Sequence, residues 1–226
     1  MKKYTTLLFD LDDTLLDFGI AEDQAFRQLM TDNGLPFTQS IFDRYNEINR
    51  SVWKQLEDHS LTSDQVKFRR FEIFCQEFKI SISSEKLALE YLVNLSKGVQ
   101  FIDGAWEILQ RFRQDHTLIL VTNGLSAVQT PRIQKSGLGS LFSAVIISEE
   151  AGVSKPSVAF FELAWKMAGK PEKDKMLVIG DSISSDIQGG INFGIDTCWY
   201  NPANAVPPLP VTYHIQRLGQ LPEIIA

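Results

Sequence analysis

Residues 7–17 read LLFDLDDTLLD, an apolar run that stops at Asp10 and is followed at once by Leu11, Asp12, Asp13 and Thr14. With Thr5 and Thr6 ahead of it, the stretch from Thr5 to Asp10 reads as a short strand buried on both faces, with carboxylates at its carboxyl end. In open α/β sheets that is where ligands bind. Working outward, the same kind of run recurs at 117–122 (TLILVT), 144–147 (AVII), 176–180 (MLVIG) and 197–200 (TCWY). Helical stretches at 104–114, 126–136, 157–168 and 184–193 surround these later strands, each bounded by Gly, Ser or Pro signals. Such alternation predicts a doubly wound α/β fold, a parallel sheet covered on both faces.

One interval breaks the rhythm. About eighty residues separate the first strand from the second, where a crossover needs only about a dozen. The stretch from Phe18 to Lys97 carries helical periodicity in four blocks, 21–33, 39–58, 62–78 and 84–96, with Ser40, Thr62 and Ser84 as expected N-caps. It is read as an all-helical second domain, 18–97, inserted into a core formed by 1–17 and 98–226. Gly19 and Gly98 bracket the insert, either as hinges or as ordinary turn glycines. The stretch from Asn201 to Pro210, NPANAVPPLP, is expected to be an extended surface loop.

Composition narrows the possible partners. With 22 basic and 28 acidic residues the net charge is −6, and no run of Lys or Arg occurs, which argues against nucleic-acid and anionic-membrane partners. Cys75 and Cys198 are far apart and lack metal-site spacing, so both are expected to be free core thiols. The apolar stretch near the N-terminus meets acids too soon for a signal peptide or a membrane span, and a cytoplasmic location is expected.

Acids crowded at the end of an apolar strand repel one another and lose hydration. A hard cation relieves that cost. Mg²⁺ suits the pattern, because it takes a few carboxylate oxygens, keeps several waters and accepts substrate phosphate oxygens. Later strand ends supply the complementary groups: Thr122 in VTNG, Lys155 in VSKP, and Asp181 and Asp186 in GDSISSD. A hydroxyl and an ammonium can bind the oxygens of a transferring phosphoryl group, while carboxylates hold a metal and orient the lysine.

In these four segments the chain resembles the haloacid dehalogenase superfamily, whose motifs are D-x-D-x-T, a Ser/Thr after the second strand, a Lys and a late acidic pair. The inserted block resembles that family's α-helical cap. The resemblance implies a Mg²⁺-dependent phosphomonoesterase with Asp10 as nucleophile, forming an aspartyl-phosphate, and Asp12 as general acid and then base. It further implies that the Asp10 and Asp181 carboxylates and the Asp12 carbonyl ligate the metal, with Asp186 behind them near Lys155 or a metal-bound water. Thr122 and Lys155 would bind the phosphoryl group, helped by Leu11 and by the Asn123 and Gly124 amides; Thr14 and Ser182 would tie down the loops. A cap closing over the phosphate would exclude water.

The stretches VTNGLSAVQTPRIQKSGL, ISEEAGVSKP and GDSISSDIQGGINFGIDTCWYN are similar in particular to the pyrimidine 5′-nucleotidase subgroup, implying nucleoside monophosphates as substrates. Sugar-phosphate phosphatase or β-phosphoglucomutase-like activity is the alternative within catalysis. A catalytically silent binding domain is the alternative outside it. Asp13 and Asp17 are read as capping or solvated acids, and the three histidines His59, His116 and His214 receive no role. In the insert, Phe68, Phe71, Phe74 and Phe78 form a helical stripe expected to pack a core, while Phe18, Tyr45 and Trp53 are candidates for facing substrate. Arg50, Lys54 and Lys67 are read as solvated charges.

Overall fold

The computed structural model describes residues 4–57 and 60–225. Asp58 and His59 lie outside them, and with Asp58 the expected end of the second helical block. In chain order, β1 (Thr6–Phe9) precedes α1 (Phe18–Asp32), α2 (Gln39–Glu57), α3 (Ser63–Phe78) and α4 (Ser84–Leu95). Then come α5 (Ala105–Phe112), β2 (Thr117–Thr122), α6 (Ser126–Lys135), β3 (Ala144–Ile147), α7 (Ser148–Ala151) and α8 (Val158–Met167). The chain finishes with β4 (Met176–Gly180), a π-helical turn (Ile183–Ile187) running into α9 (Gln188–Phe193), β5 (Asp196–Tyr200), β6 (Tyr213–Ile215) and α10 (Leu221–Ile225).

Two compact units emerge. One takes in the chain up to 18, 99–126 and from 133 onward; the other takes in 19–98 with 127–132. The second thus includes most of α6, a segment that the sequence assigns to the core.

In the first unit six parallel strands stand in the order β3-β2-β1-β4-β5-β6. Leu7 and Phe9 point into a cluster with Leu109, Leu120 and Ile179, whereas Leu8 joins Ile119, Val178, Phe160 and Phe161 on the opposite face. Leu7, Leu8 and Phe9 are shielded completely, each stabilising the fold by about 1.5–3 kcal/mol relative to exposure. Register then sets the site. Phe9 lies level with Leu120 on one side and Ile179 on the other, so the next residues along, Asp10, Val121 and Gly180, reach one rim together. β1 is the strand from which the order runs outward in both directions, the switch point at which such sheets open a crevice.

β6 was not expected. Its three residues, Tyr213, His214 and Ile215, are too few to carry a periodic signal of their own, and pairing with β5 makes the strand. Residues 201–210 form loop, as their prolines require. Cys75 and Cys198 are buried and unpaired. Among the described residues no helix is long and apolar enough to cross a membrane.

The helical unit packs around aromatic rings. Phe26 stacks on Tyr45 with centroids 4.5 Å apart, and Phe71, Phe74 and Tyr91 close around them. The expected stripe therefore does pack a core at Phe71 and Phe74. Tyr45, expected to face substrate, is instead fully buried in it. Thr62 caps α3 through a reciprocal box with Gln65. The other two expected caps shift by one or two residues: Thr38 Oγ1 accepts from the Ile41 amide at 3.3 Å, and Ser83 rather than Ser84 caps α4. Lys67, read as solvated, pairs with Asp64 at 2.8 Å.

Neither bracketing glycine forms a turn of left-handed backbone. Gly19 lies in the first turn of α1, and a Cβ on Gly98 would meet that of Ala21 at 2.3 Å, so close packing demands glycine there.

Candidate active site

Every side chain of the site belongs to the sheet unit. After β1 the backbone turns tightly, with the Leu15 and Leu16 amides both donating to the Leu11 carbonyl at 2.9 Å. The turn lifts half-buried Asp12 beyond the strand and turns Asp13 away, so that Asp13 Oδ1 accepts from the Phe18 amide and caps α1. Thr14 reaches sideways: its hydroxyl accepts from the Asp181 amide at 3.1 Å and lies 3.4 Å from Asp181 Oδ1. The loops after β1 and β4 are thereby pinned together. Trp199 Nε1 donates to the Asp181 carbonyl at 2.7 Å and fixes the same loop from β5.

Lys155 is the centre. Its ammonium donates to Asp10 Oδ1 at 2.5 Å, Asp186 Oδ1 at 2.7 Å and the Val121 carbonyl at 3.0 Å, and only 1% of the side chain is exposed. Its backbone is clamped as well. Asn123 Nδ2 donates to the Lys155 carbonyl, and the Lys155 amide donates back to Asn123 Oδ1, both at 2.9 Å. Asp186 is shielded completely, and its second oxygen accepts from the Ser182 amide at 3.1 Å. Ser182 also caps the π-helical turn through the Ser185 amide. Gly180 makes room for this acid, since a Cβ there would lie 2.3 Å from the Asp186 carboxyl carbon.

Asp10, Asp181 and Asp186 each offer a carboxylate oxygen, all within 4.8 Å of one another. Three carboxylates therefore face one ammonium. Burial pushes Asp10 up to about 7, with the charges of Asp186 and Asp12 adding to the rise and Lys155 opposing it. Burial likewise pushes Asp181 up to about 9, reinforced by Asp10, Asp186 and Asp13. For Lys155, burial alone would lower the ammonium's pKa, yet Asp10 and Asp186 outweigh it and raise it. A group of this charge, lined with oxygen donors, fits a small divalent cation.

Thr122 ends β2 and is buried one position beyond the level of Asp10. Leu11 is fully buried in the turn. The Gly124 amide, expected near phosphate, donates to Ser148 Oγ at 3.1 Å. Ser148 and Glu149 were missed in the sequence. Glu149 accepts from the Ser126 amide at 2.8 Å and so holds the start of α6. Their signal was position alone, directly after β3. Trp199, in the middle of a strand, gave none.

Known proteins of similar sequence and shape place the chain. The sequence model of the haloacid dehalogenase-like hydrolases matches residues 4–194. The chain is 40% identical over 200 residues to pyrimidine 5′-nucleotidase PynA of Streptococcus pneumoniae, covering 88% of this chain and 84% of that one. It is 30% identical to pyrimidine 5′-nucleotidase YjjG of Escherichia coli, over 99% of this chain and 98% of the other. The magnesium-bound crystal structure of the HAD-hydrolase YfnB of Bacillus subtilis superposes with a TM-score of 0.92 at 37% identity, covering 99% of each chain. A sheet rim of this chemistry, matched over this much of the chain, makes it a member of the haloacid dehalogenase-like hydrolase family.

Proposed function

We propose that this hydrolase is a Mg²⁺-dependent 5′-nucleotidase that cleaves (deoxy)pyrimidine nucleoside monophosphates through an aspartyl-phosphate on Asp10. The observation that carries the reading is Asp10 paired with Lys155 and facing Asp181 at one sheet rim. The relatives PynA and YjjG support the substrate class.

Asp10 and Asp181 would hold the metal through carboxylates and Asp12 through its backbone carbonyl. Asp186 spends its oxygens on Lys155 and the Ser182 amide, which suits it to orient the lysine rather than to bind the ion. A cation held there would offset the negative charge that carboxylates and phosphate bring together. Asp10 attacks phosphorus as the bond to the leaving oxygen breaks, and Asp12 gives that oxygen its proton. Asp12 then takes a proton from water, whose oxygen attacks phosphorus, so that inorganic phosphate leaves and Asp10 is restored. Lys155 and Thr122 stabilise the equatorial oxygens, with the Leu11 and Asn123 amides nearby.

A panel of nucleoside monophosphates and hexose phosphates, ranked by kcat/KM with Mg²⁺ present, tests the reading. Preference for dTMP and UMP is expected. A clear preference for hexose phosphates overturns the nucleotidase assignment while leaving the phosphatase chemistry in place.

A further inference from the structure

Strand β4 stops at Gly180, so Asp181 stands one residue beyond the hydrogen-bond ladder of the sheet. Side chains hold its main chain instead. The Thr14 hydroxyl accepts from the Asp181 amide at 3.1 Å, and Trp199 Nε1 donates to the Asp181 carbonyl at 2.7 Å. Parallel pairing sets the second contact, because Trp199 of β5 lies level with Gly180. The amide and the carbonyl of one residue are thus held from the two neighbours of β4, by the loop after β1 on one side and by β5 on the other.

The indole is itself braced. Trp199 is 7% exposed, and the ring of His214 stacks against it with centroids 5.5 Å apart. Asn201 Nδ2 donates to His214 Nε2 at 3.1 Å, and the Asn201 amide donates to the Ile215 carbonyl at 2.8 Å. A buried indole N–H needs an acceptor, and any carbonyl satisfies that need. Trp165 shows the plain case, donating to the Pro171 carbonyl, also at 2.7 Å, in a loop that carries no site residue. At Trp199 the same bond falls on a residue whose carboxylate lies within 4.8 Å of those of Asp10 and Asp186. With amide and carbonyl both fixed, that carboxylate moves only through its own side-chain torsions.

We propose that Trp199 is the positioning residue that sets the affinity of this acid cluster for Mg²⁺, and its preference for that ion over Ca²⁺, by holding the Asp181 carbonyl. The inference rests on the metal reading above. Mg²⁺ demands near-octahedral oxygens at about 2.0–2.1 Å, whereas Ca²⁺ accepts about 2.3–2.6 Å in looser arrangements. A carboxylate held in one place therefore favours the smaller ion, and a carboxylate let loose forfeits that ion first. Groups that orient a metal ligand are worth about 10- to 100-fold in affinity.

Calorimetric titration of metal-stripped protein with MgCl₂ and with CaCl₂ tests it without substrate or turnover. Trp199→Phe keeps a ring and removes the N–H; it is expected to bind Mg²⁺ about tenfold more weakly than wild type and to lose Ca²⁺ affinity by a smaller factor. Trp199→His returns an N–H, since imidazole overlays the five-membered ring of indole with Nε2 at the place of Nε1. Its Mg²⁺ affinity is expected to stay within about threefold of wild type. Trp165→Phe removes the equivalent bond elsewhere and is expected to leave both affinities unchanged. Circular dichroism and melting temperature report folding. The inference is overturned if folded Trp199→Phe binds Mg²⁺ within about threefold of wild type, or loses as much Ca²⁺ affinity as Mg²⁺ affinity. Where Trp199→Phe does not fold, a folded Trp199→His that binds Mg²⁺ more than about threefold more weakly than wild type overturns it instead. Failure of the metal reading looks different, since wild type would then take up no Mg²⁺, and the inference would fall with it.

Discussion

Lys155 and Arg70 are both shut away from solvent, and their surroundings could hardly differ more. Lys155 meets two carboxylates and a carbonyl, whereas Arg70 meets one neutral amide oxygen and the ring face of Tyr91, 4.9 Å from its guanidinium carbon. The lesson concerns what each leaves behind. Without Lys155, two buried carboxylates lose their counter-charge; without Arg70, the neutral Asn49 amide oxygen loses a donor.

The proposed chemistry involves Lys155 and its carboxylate partners, so the largest effect is expected there. Asp10→Asn is expected to lower kcat by at least about 10³-fold with the fold intact, measured by phosphate release alongside circular dichroism. Near-normal turnover in a folded variant would remove Asp10 from its role. Next comes Lys155→Met, expected to destabilise the metal-free protein by about 3–5 kcal/mol in urea denaturation at neutral pH. A loss under about 1 kcal/mol would mean that the carboxylates do not depend on the lysine.

The pH response sharpens the same contrast. Asp10 is held up to about 7 and Asp181 to about 9, mainly by burial. Carboxyls that keep their protons more tightly when folded stabilise the fold fully below about pH 4 and progressively less as pH climbs through those values. The melting temperature of metal-free protein should therefore fall between about pH 5 and pH 9, and saturating Mg²⁺ should flatten the slope. A rise over that interval would contradict the assignment. The smallest effect is expected at Arg70, where Arg70→Met should change unfolding free energy by under about 1.5 kcal/mol. A loss as large as that at Lys155 would erase the distinction between the two cations.

The two regions also differed in how readily they could be read. Asp10, Thr122 and Asp181 stand directly at, or one residue beyond, the ends of apolar strands, so a one-dimensional pattern locates them and parallel pairing brings their strand ends to one rim; Lys155, in the loop that follows β3 and α7, is legible mainly from its VSKP context. The Asn123 clamp on Lys155 and the Ser148 contact with Gly124 join loops 32 and 24 residues apart through side chain and backbone, and no local pattern announces such a pair. Strand β6 went unseen because its partner creates it. Tyr45 was misjudged because helical spacing groups residues within one helix, and the rings that bury Tyr45 come from the other three. The hydrogen bonds from Arg70 of α3 to Asn49 of α2, and from Asn49 to Glu22 of α1, were invisible for the same reason.

Gly180 contributes no functional group, yet the Asp186 carboxyl lies where its side chain would begin. A single methyl there would shove the acid aside and, with it, the ammonium that the acid steers. Screening for lost charge would pass over such a change, because every titratable group would still be present. The defect would be a shift of about one ångström, enough to open a 2.3 Å approach into an ordinary contact, and a search for inactive variants of this hydrolase should include position 180 alongside its acids.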